Sequence, residues 1–206
     1  VTIVPHETGS SSDIDTALIV EFDDGNRIHR VVNTNDVIAD DQFLIDLKRA
    51  AGGPVDILLC GYTGAGPYPQ TYFDADDPQL GVAAEEKKAA FVARYRRLTE
   101  SVGATINGPF AGQYVLGGKL ARLNSWRGVA DATEVLAFDD RAVVLRDAGG
   151  VISTGNLHAA DRRTEAYDSA EQSARIAAIA SNPMDYEVMF EPGFDTERLP
   201  IRRLLQ

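Results

Sequence analysis

Cysteine and histidine are scarce in this chain, with one Cys and three His among 206 residues. A lone cysteine excludes an intramolecular disulfide and suits a reducing cytosol. Cys60 lies in the apolar run VDILLCGY, so it reads as a buried thiol rather than a nucleophile. His6, His29 and His158 are too widely spaced to form a ligand pair. H-x-H, H-E-x-x-H and C-x-x-C are all missing, which removes the familiar zinc motifs. The G-x-S-x-G elbow and the P-loop are missing too.

Positive charge is also in short supply. Twenty Lys and Arg stand against thirty-one Asp and Glu, a formal charge of -11. That balance argues against nucleic acid or an anionic membrane as partner, because phosphate surfaces are bound by basic ones. The one short basic patch, Arg94, Arg96 and Arg97, reads as a solvated helix face. No apolar run is long enough to span a bilayer and no signal peptide is visible. The expectation is a cytoplasmic protein with no membrane contact.

What remains is ordinary globular composition, 44% hydrophobic and 25% charged, in a chain long enough to bury a substantial core. The chain opens at Val1 in the strand-like VTIV and closes on LPIRRLLQ with no stop signal. The expectation from both ends is a piece cut from a longer protein.

TALIVEF (16–22), DDGN (23–26) and RIHRVVN (27–33) form the clearest unit. Two β-rich runs flank a turn whose Gly and Asn tolerate positive φ, which predicts a β-hairpin. DDQFLIDLKRAAGG places Phe43, Leu44, Leu47 and Ala51 on one helical face and ends in glycines fit for a C-cap. VDILLC (55–60) is the continuous apolar run of a strand buried on both faces. A Gly, Pro and Tyr-rich loop, GYTGAGPYPQTYFD, occupies 61–74. A helix follows over about 84–103, marked by Phe91, Tyr95, Leu98 and Val102. ATINGPFAGQYVLGG (104–118) reads as a short strand and a Gly-rich turn, and RAVVLRDAGGVIST (141–154) as a second hairpin. A last helix is expected within 162–183, stopped by Asn182-Pro183. Alternating strands and helices over the first 120 residues mean α/β organisation.

Asp36 is the best single candidate for chemistry. It sits where an interior strand emerges in VVNTND, and a carboxylate held by a strand ladder suits a metal ligand or general base. An equal alternative is that Asn33, Asn35 and Asp36 cap the helix beginning a few residues later. The glycines of GYTGAGPYP could expose backbone N–H groups to a phosphate. No Lys and no helix N-terminus follows to complete such a nest.

The order DIDTALIVEFDDGNRIHRVVNTND, FLIDLKRA, VDILLCGYTGAGPYPQTYF and ATINGPFAGQYVLGG resembles the C-terminal half of metallo-β-lactamase-fold proteins. The resemblance covers roughly residues 10 to 140. It is closest to the branch with the lactamase-like domain of CMP-N-acetylneuraminate hydroxylase. N-acyl-phosphatidylethanolamine phospholipase D and L-ascorbate-6-phosphate lactonase are more distant likenesses. The hairpin with its Asn-Asp end and the Gly-Ala-Gly-Pro-Tyr-Pro loop are fairly specific together and weak apart. The resemblance implies half of an α/β (α+β) αββα sandwich over residues 1–158 and a helical C-terminal extension over 159–206. It also implies that Asp36 bridges two divalent metals, zinc or iron, around a shared hydroxide. The first-half ligand motif H-x-H-x-D-H is absent here. The last histidine, expected near TINGPF, is replaced by Asn107, Gly108, Pro109 and Phe110. Asn107 could offer only an amide oxygen, which suits a harder ion.

Three functions follow. The first is part of a metal-dependent hydrolase acting on a small-molecule substrate. Asp36 is then the retained ligand, and Tyr62, Gly64, Gly66, Tyr68, Tyr72 and Asn107 contact the substrate; an equal alternative for the loop is a strained, packed turn with its tyrosines in the core. The second is a binding or regulatory module of the same fold, favoured by the missing histidine. The third, part of a nucleotide-sugar hydroxylase, rests on family analogy and would need Rieske ligands that this chain lacks. Partners would be a complementing N-terminal half or a second copy, because the face where that half packs would be apolar and open.

Overall fold

The computed structural model describes residues 1–7, 14–110, 114–145, 151–155, 157, 168–180, 182–185 and 187. Five strands form one mixed sheet in sequence order: β1 (Thr2–Glu7), β2 (Ile14–Asp23), β3 (Ile28–Asn33), β4 (Ile57–Cys60) and β5 (Ile106–Pro109). β1, β2 and β3 are antiparallel, while β3, β4 and β5 run parallel. The expected hairpin is therefore present. Its turn is fixed by Asp23, accepting from Gly25 N, and by Asp24, accepting from Asn26 N and Arg27 N. Gly25 takes φ 86°, where a side chain would be strained.

Parallel neighbours need crossovers, and two helices supply them: α1 (Asp41–Ala51) between β3 and β4, and α2 (Pro78–Val102) between β4 and β5. Right-handed crossovers that advance in one direction place both helices on the same face. The core agrees. Phe43, Leu44 and Leu47 of α1 and Tyr95 and Leu98 of α2 cluster with Ala17, Ile19, Val32 and Leu58 of the sheet. α1 is capped by Asp40, whose carboxylate accepts from Phe43 N at 2.7 Å, and it ends at Gly52 with φ 63°. α2 starts six residues before the expected Ala84. Asp77 caps it and Pro78 pre-sets its first turn, a start signal of its own. Asp56 anchors the entry to β4 by accepting from Arg30 N and Arg27 Nη1, each at 2.7 Å.

The opposite sheet face divides in two. Over β4 and β5 it is covered, with Ile57 and Ile106 against Val143, Ile152 and Leu157. Over the antiparallel strands it lies open, with Ile3 65%, Phe22 63%, Leu18 39% and Val20 38% exposed. Ile3 pairs with Leu18 and Val20 with Val31 across the ladder, so these side chains form one continuous apolar patch.

The second hairpin expected over 141–154 does not form among the described residues. Val143 N donates to Asn107 O and Asn107 N to Arg141 O, so the start of this run bridges to β5. Residues 146–150, where its turn was expected, lie outside the described set.

By contact density the chain separates into residues 1–114 with 126–167, and 115–125 with 168–206. The smaller unit holds most of a 3-10 helix (Gly118–Trp126) and α3 (Ser169–Ala180), which falls inside the helix expected over 162–183; residues 162–167 lie outside the described set. Inside it the Asn124 amide bonds both N and O of Leu116, and Glu187 accepts from Lys119 N and Met184 N. No helix among the described residues is long and apolar enough to cross a membrane.

Candidate functional site

The stretch after β3 is a tight turn built by asparagine. Thr34 N donates to Leu59 O at 3.0 Å, continuing the parallel pairing one residue past the strand. The Asn33 side chain then accepts from Asn35 N at 2.9 Å, and Asn35 sits at φ 46°, which Asn tolerates better than most residues. Val37 N closes on Thr34 O at 3.1 Å. Asp36 is left exposed at the tip, between this turn and buried Val37. Since Asp40 caps α1, neither asparagine nor Asp36 does so, and the capping explanation for the cluster fails.

Asp36 lines a cavity of about 400 Å³ at the carboxyl ends of β3 and β4. In parallel sheets this is where ligands bind. One wall is Asn35–Ala39; another is Gly61, Thr63, Gly64 and Ala65; the third is Phe91, Arg94, Arg97 and Leu98 of α2. A Cβ on Gly64 would overlap the ring of Phe91, so a larger residue there would force the ring or the loop to shift. Thr63 is buried, and its Oγ1 has no hydrogen-bond partner.

Of the residues singled out in the loop, only Gly64 lines this cavity. Tyr62 is a core residue, 4% exposed, with its phenol pushed up to about 12 by burial and then by Asp131 and Glu134. Gly66 O accepts from Gln70 Nε2 at 2.7 Å and from the Tyr114 hydroxyl at 2.8 Å, which ties the loop down. Lys87 Nζ adds a bond to Tyr68 O. Tyr68 and Tyr72 face solvent and meet edge-on, ring centroids 5.5 Å apart.

Asn107 lies away from the cavity, fully buried on β5. Its Nδ2 donates to Asp139 Oδ2 at 2.9 Å, beside the Tyr95 hydroxyl at 2.8 Å, and its Oδ1 has no partner. Burial raises the Tyr95 phenol strongly, assisted by Cys60 and Asp139. The three groups pin residues 139–142 to β5.

The cations were missed as cavity residues by sequence reasoning. Arg97 donates to Ala39 O at 2.8 Å and pairs with Asp41, while the Arg94 guanidinium stands 5.0 Å from the centre of the Phe91 ring. Arg96 stacks on Phe138 at 4.0 Å. Spacing offered one clue, since Phe91, Arg94 and Leu98 are three and four apart on one helix face.

Neither described histidine lines the cavity. His6 packs on Phe43, and His29 Nε2 meets Asp24 Oδ2 at 2.8 Å. His158 lies outside the described residues. Among the described residues no three His, Cys, Asp or Glu side chains gather to hold a metal ion. No family model, curated protein or solved structure matches this chain. The functional reading therefore rests on the geometry of the turn, the cavity and the open sheet face.

Proposed function

We propose that this chain is the C-terminal half of a metal-dependent hydrolase with a metallo-β-lactamase-like αββα sandwich, and that Asp36 is its retained metal ligand. One observation carries the reading. Helices cover one face of the sheet, the other face presents Ile3, Leu18, Val20 and Phe22 to solvent, and Asp36 stands at the end of the central strand. A sandwich opened along its middle would leave such a face bare, which supports the reading. A second sheet laid on the apolar patch would complete it, with Asp36 at the edge between the two layers.

On this reading Asp36 is one ligand of a centre whose other ligands lie elsewhere. Asp36 is exposed at a rigid turn, as a bridging carboxylate requires. Asn107 does not fit, since its amide is sealed inside the core against Asp139. The remaining ligands, imidazoles for zinc or iron, would come from the complementing half. A bound metal pair would supply a hydroxide nucleophile at neutral pH and polarise the substrate. This chain's own contribution is to hold the Asp36 carboxylate and to form one wall of a small-molecule pocket. A cytoplasmic location accords with the buried, reduced Cys60.

The sealed Asn107 favours a second reading, a binding module that keeps the sandwich without its chemistry. The reading frame upstream of Val1 separates the two. The hydrolase requires H-x-H-x-D-H there; a frame without it leaves the binding module.

A further inference from the structure

We infer that the cavity beside Asp36 is a binding site for a small anion, a phosphate or carboxylate group, held by Arg94. The Gly-rich loop alone lacked a cation for such a role. The fold supplies one from α2, in the same cavity lining as Thr63, Gly64 and Ala65. The two arginines in the wall are not equivalent. Arg97 already bonds Ala39 O and pairs with Asp41. Arg94 has no carboxylate partner among the described residues, and its guanidinium is backed by the Phe91 ring. Stacking on an aromatic leaves the planar fork free to bind an oxyanion bidentately.

The loop part of the lining has donors to spare. The N–H groups of Thr63, Gly64 and Ala65 engage no backbone carbonyl among the described residues. The Thr63 hydroxyl, 5% exposed, is unpartnered. Buried polar groups of this kind ordinarily find a partner. Packing of Gly64 against Phe91 brings the loop close to the helix that carries Arg94. At about 400 Å³ the cavity falls within the size range of small-molecule sites. Asp36 in the same cavity opposes a second negative group, so the ligand should carry its charge at one end.

This inference does not rest on the metal reading, and its test excludes metal. The intact chain, in EDTA and low salt, is titrated with inorganic phosphate, acetate and neutral glycerol while its amide resonances are followed. Saturable shifts at Thr63, Gly64 and Ala65 with phosphate or acetate, and none with glycerol, are expected; whichever anion saturates identifies the group. Arg94→Gln should weaken binding at least tenfold, Arg94→Lys should weaken it less, and Arg122→Gln, at an exposed position elsewhere, should leave it unchanged. Unaltered thermal melting of the Arg94 variants shows that the fold is intact. Absence of saturation by either anion, or equal affinity in Arg94→Gln and the parent chain, overturns the proposal.

Discussion

Three donors converge on the carboxylate of Asp139: the Tyr95 hydroxyl, the Asn107 amide and Arg141 N. Removing it strands two buried polar side chains, so Asp139→Ala should cost about 2–4 kcal/mol in urea unfolding. Tyr95→Phe, which removes one donor and leaves the others satisfied, should cost about 1 kcal/mol. Cys60, fully buried, has its thiol pushed up to about 12 by desolvation and then by Asp139. The thiol should ignore an aromatic disulfide reagent at pH 8 and react at once in denaturant. Rapid reaction of the native chain would contradict the burial. Asp24 is held well below its ordinary value, 3.8, first by the hydrogen bond from His29 and then by the amides of Arg27 and Asn26. A lowered carboxyl contributes stability that is fully present above the ordinary value and withdrawn as pH falls toward the folded one. Asp24→Asn should therefore lower stability above about pH 4, where the contribution is fully present, and converge on the parent chain as pH falls, which flattens the acid limb of the curve.

Elements were legible wherever local periodicity decided them. The hydrophobic stripe Phe43, Leu44, Leu47 and Ala51 is the buried face of α1, because the spacing of an amphipathic helix is written in its residues. The β2–β3 hairpin follows from alternation around a turn that needs a glycine. The cavity was not legible, since it joins residues from 35 to 98 through two crossovers whose geometry no local pattern encodes. The role of Asn107 was hidden for the same reason: its partner lies 32 residues away. The start of α2 could have been read, because Asp77-Pro78 is a cap followed by an N1 proline. The loop–helix contact gives a prediction at this scale. Gly64→Ala should lower stability by about 1–3 kcal/mol through overpacking against Phe91, and Phe91→Ala should recover part of that loss in the double variant. Additive losses would show that the ring and the loop are not in contact.

At the scale of the whole molecule the decisive feature is asymmetry. One sheet face is filled by α1 and α2, and the other carries an exposed apolar patch over β1 and β2. Antiparallel sheets with one solvated face ordinarily alternate apolar and polar residues, and Ile3, Leu18, Val20 and Phe22 break that rule. On the proposed reading the patch is the seat of a complementing half, and a chain lacking that half buries it against a second copy. Sedimentation should show concentration-dependent association that Phe22→Lys with Val20→Lys abolishes. A monomer at every concentration would argue against the open sandwich. The mixed α/β class and the position of Asp36 just past a strand end were both readable in advance; the open patch and the Asp40 cap, which leaves Asp36 without a capping role, were not. The measurement that tests the central claim most directly is elemental analysis of the protein expressed from its complete reading frame, alongside Asp36→Ala. The account predicts bound zinc or iron in the parent protein and loss of at least one metal equivalent in the variant. Equal metal content in the two would remove Asp36 from the site and contradict it.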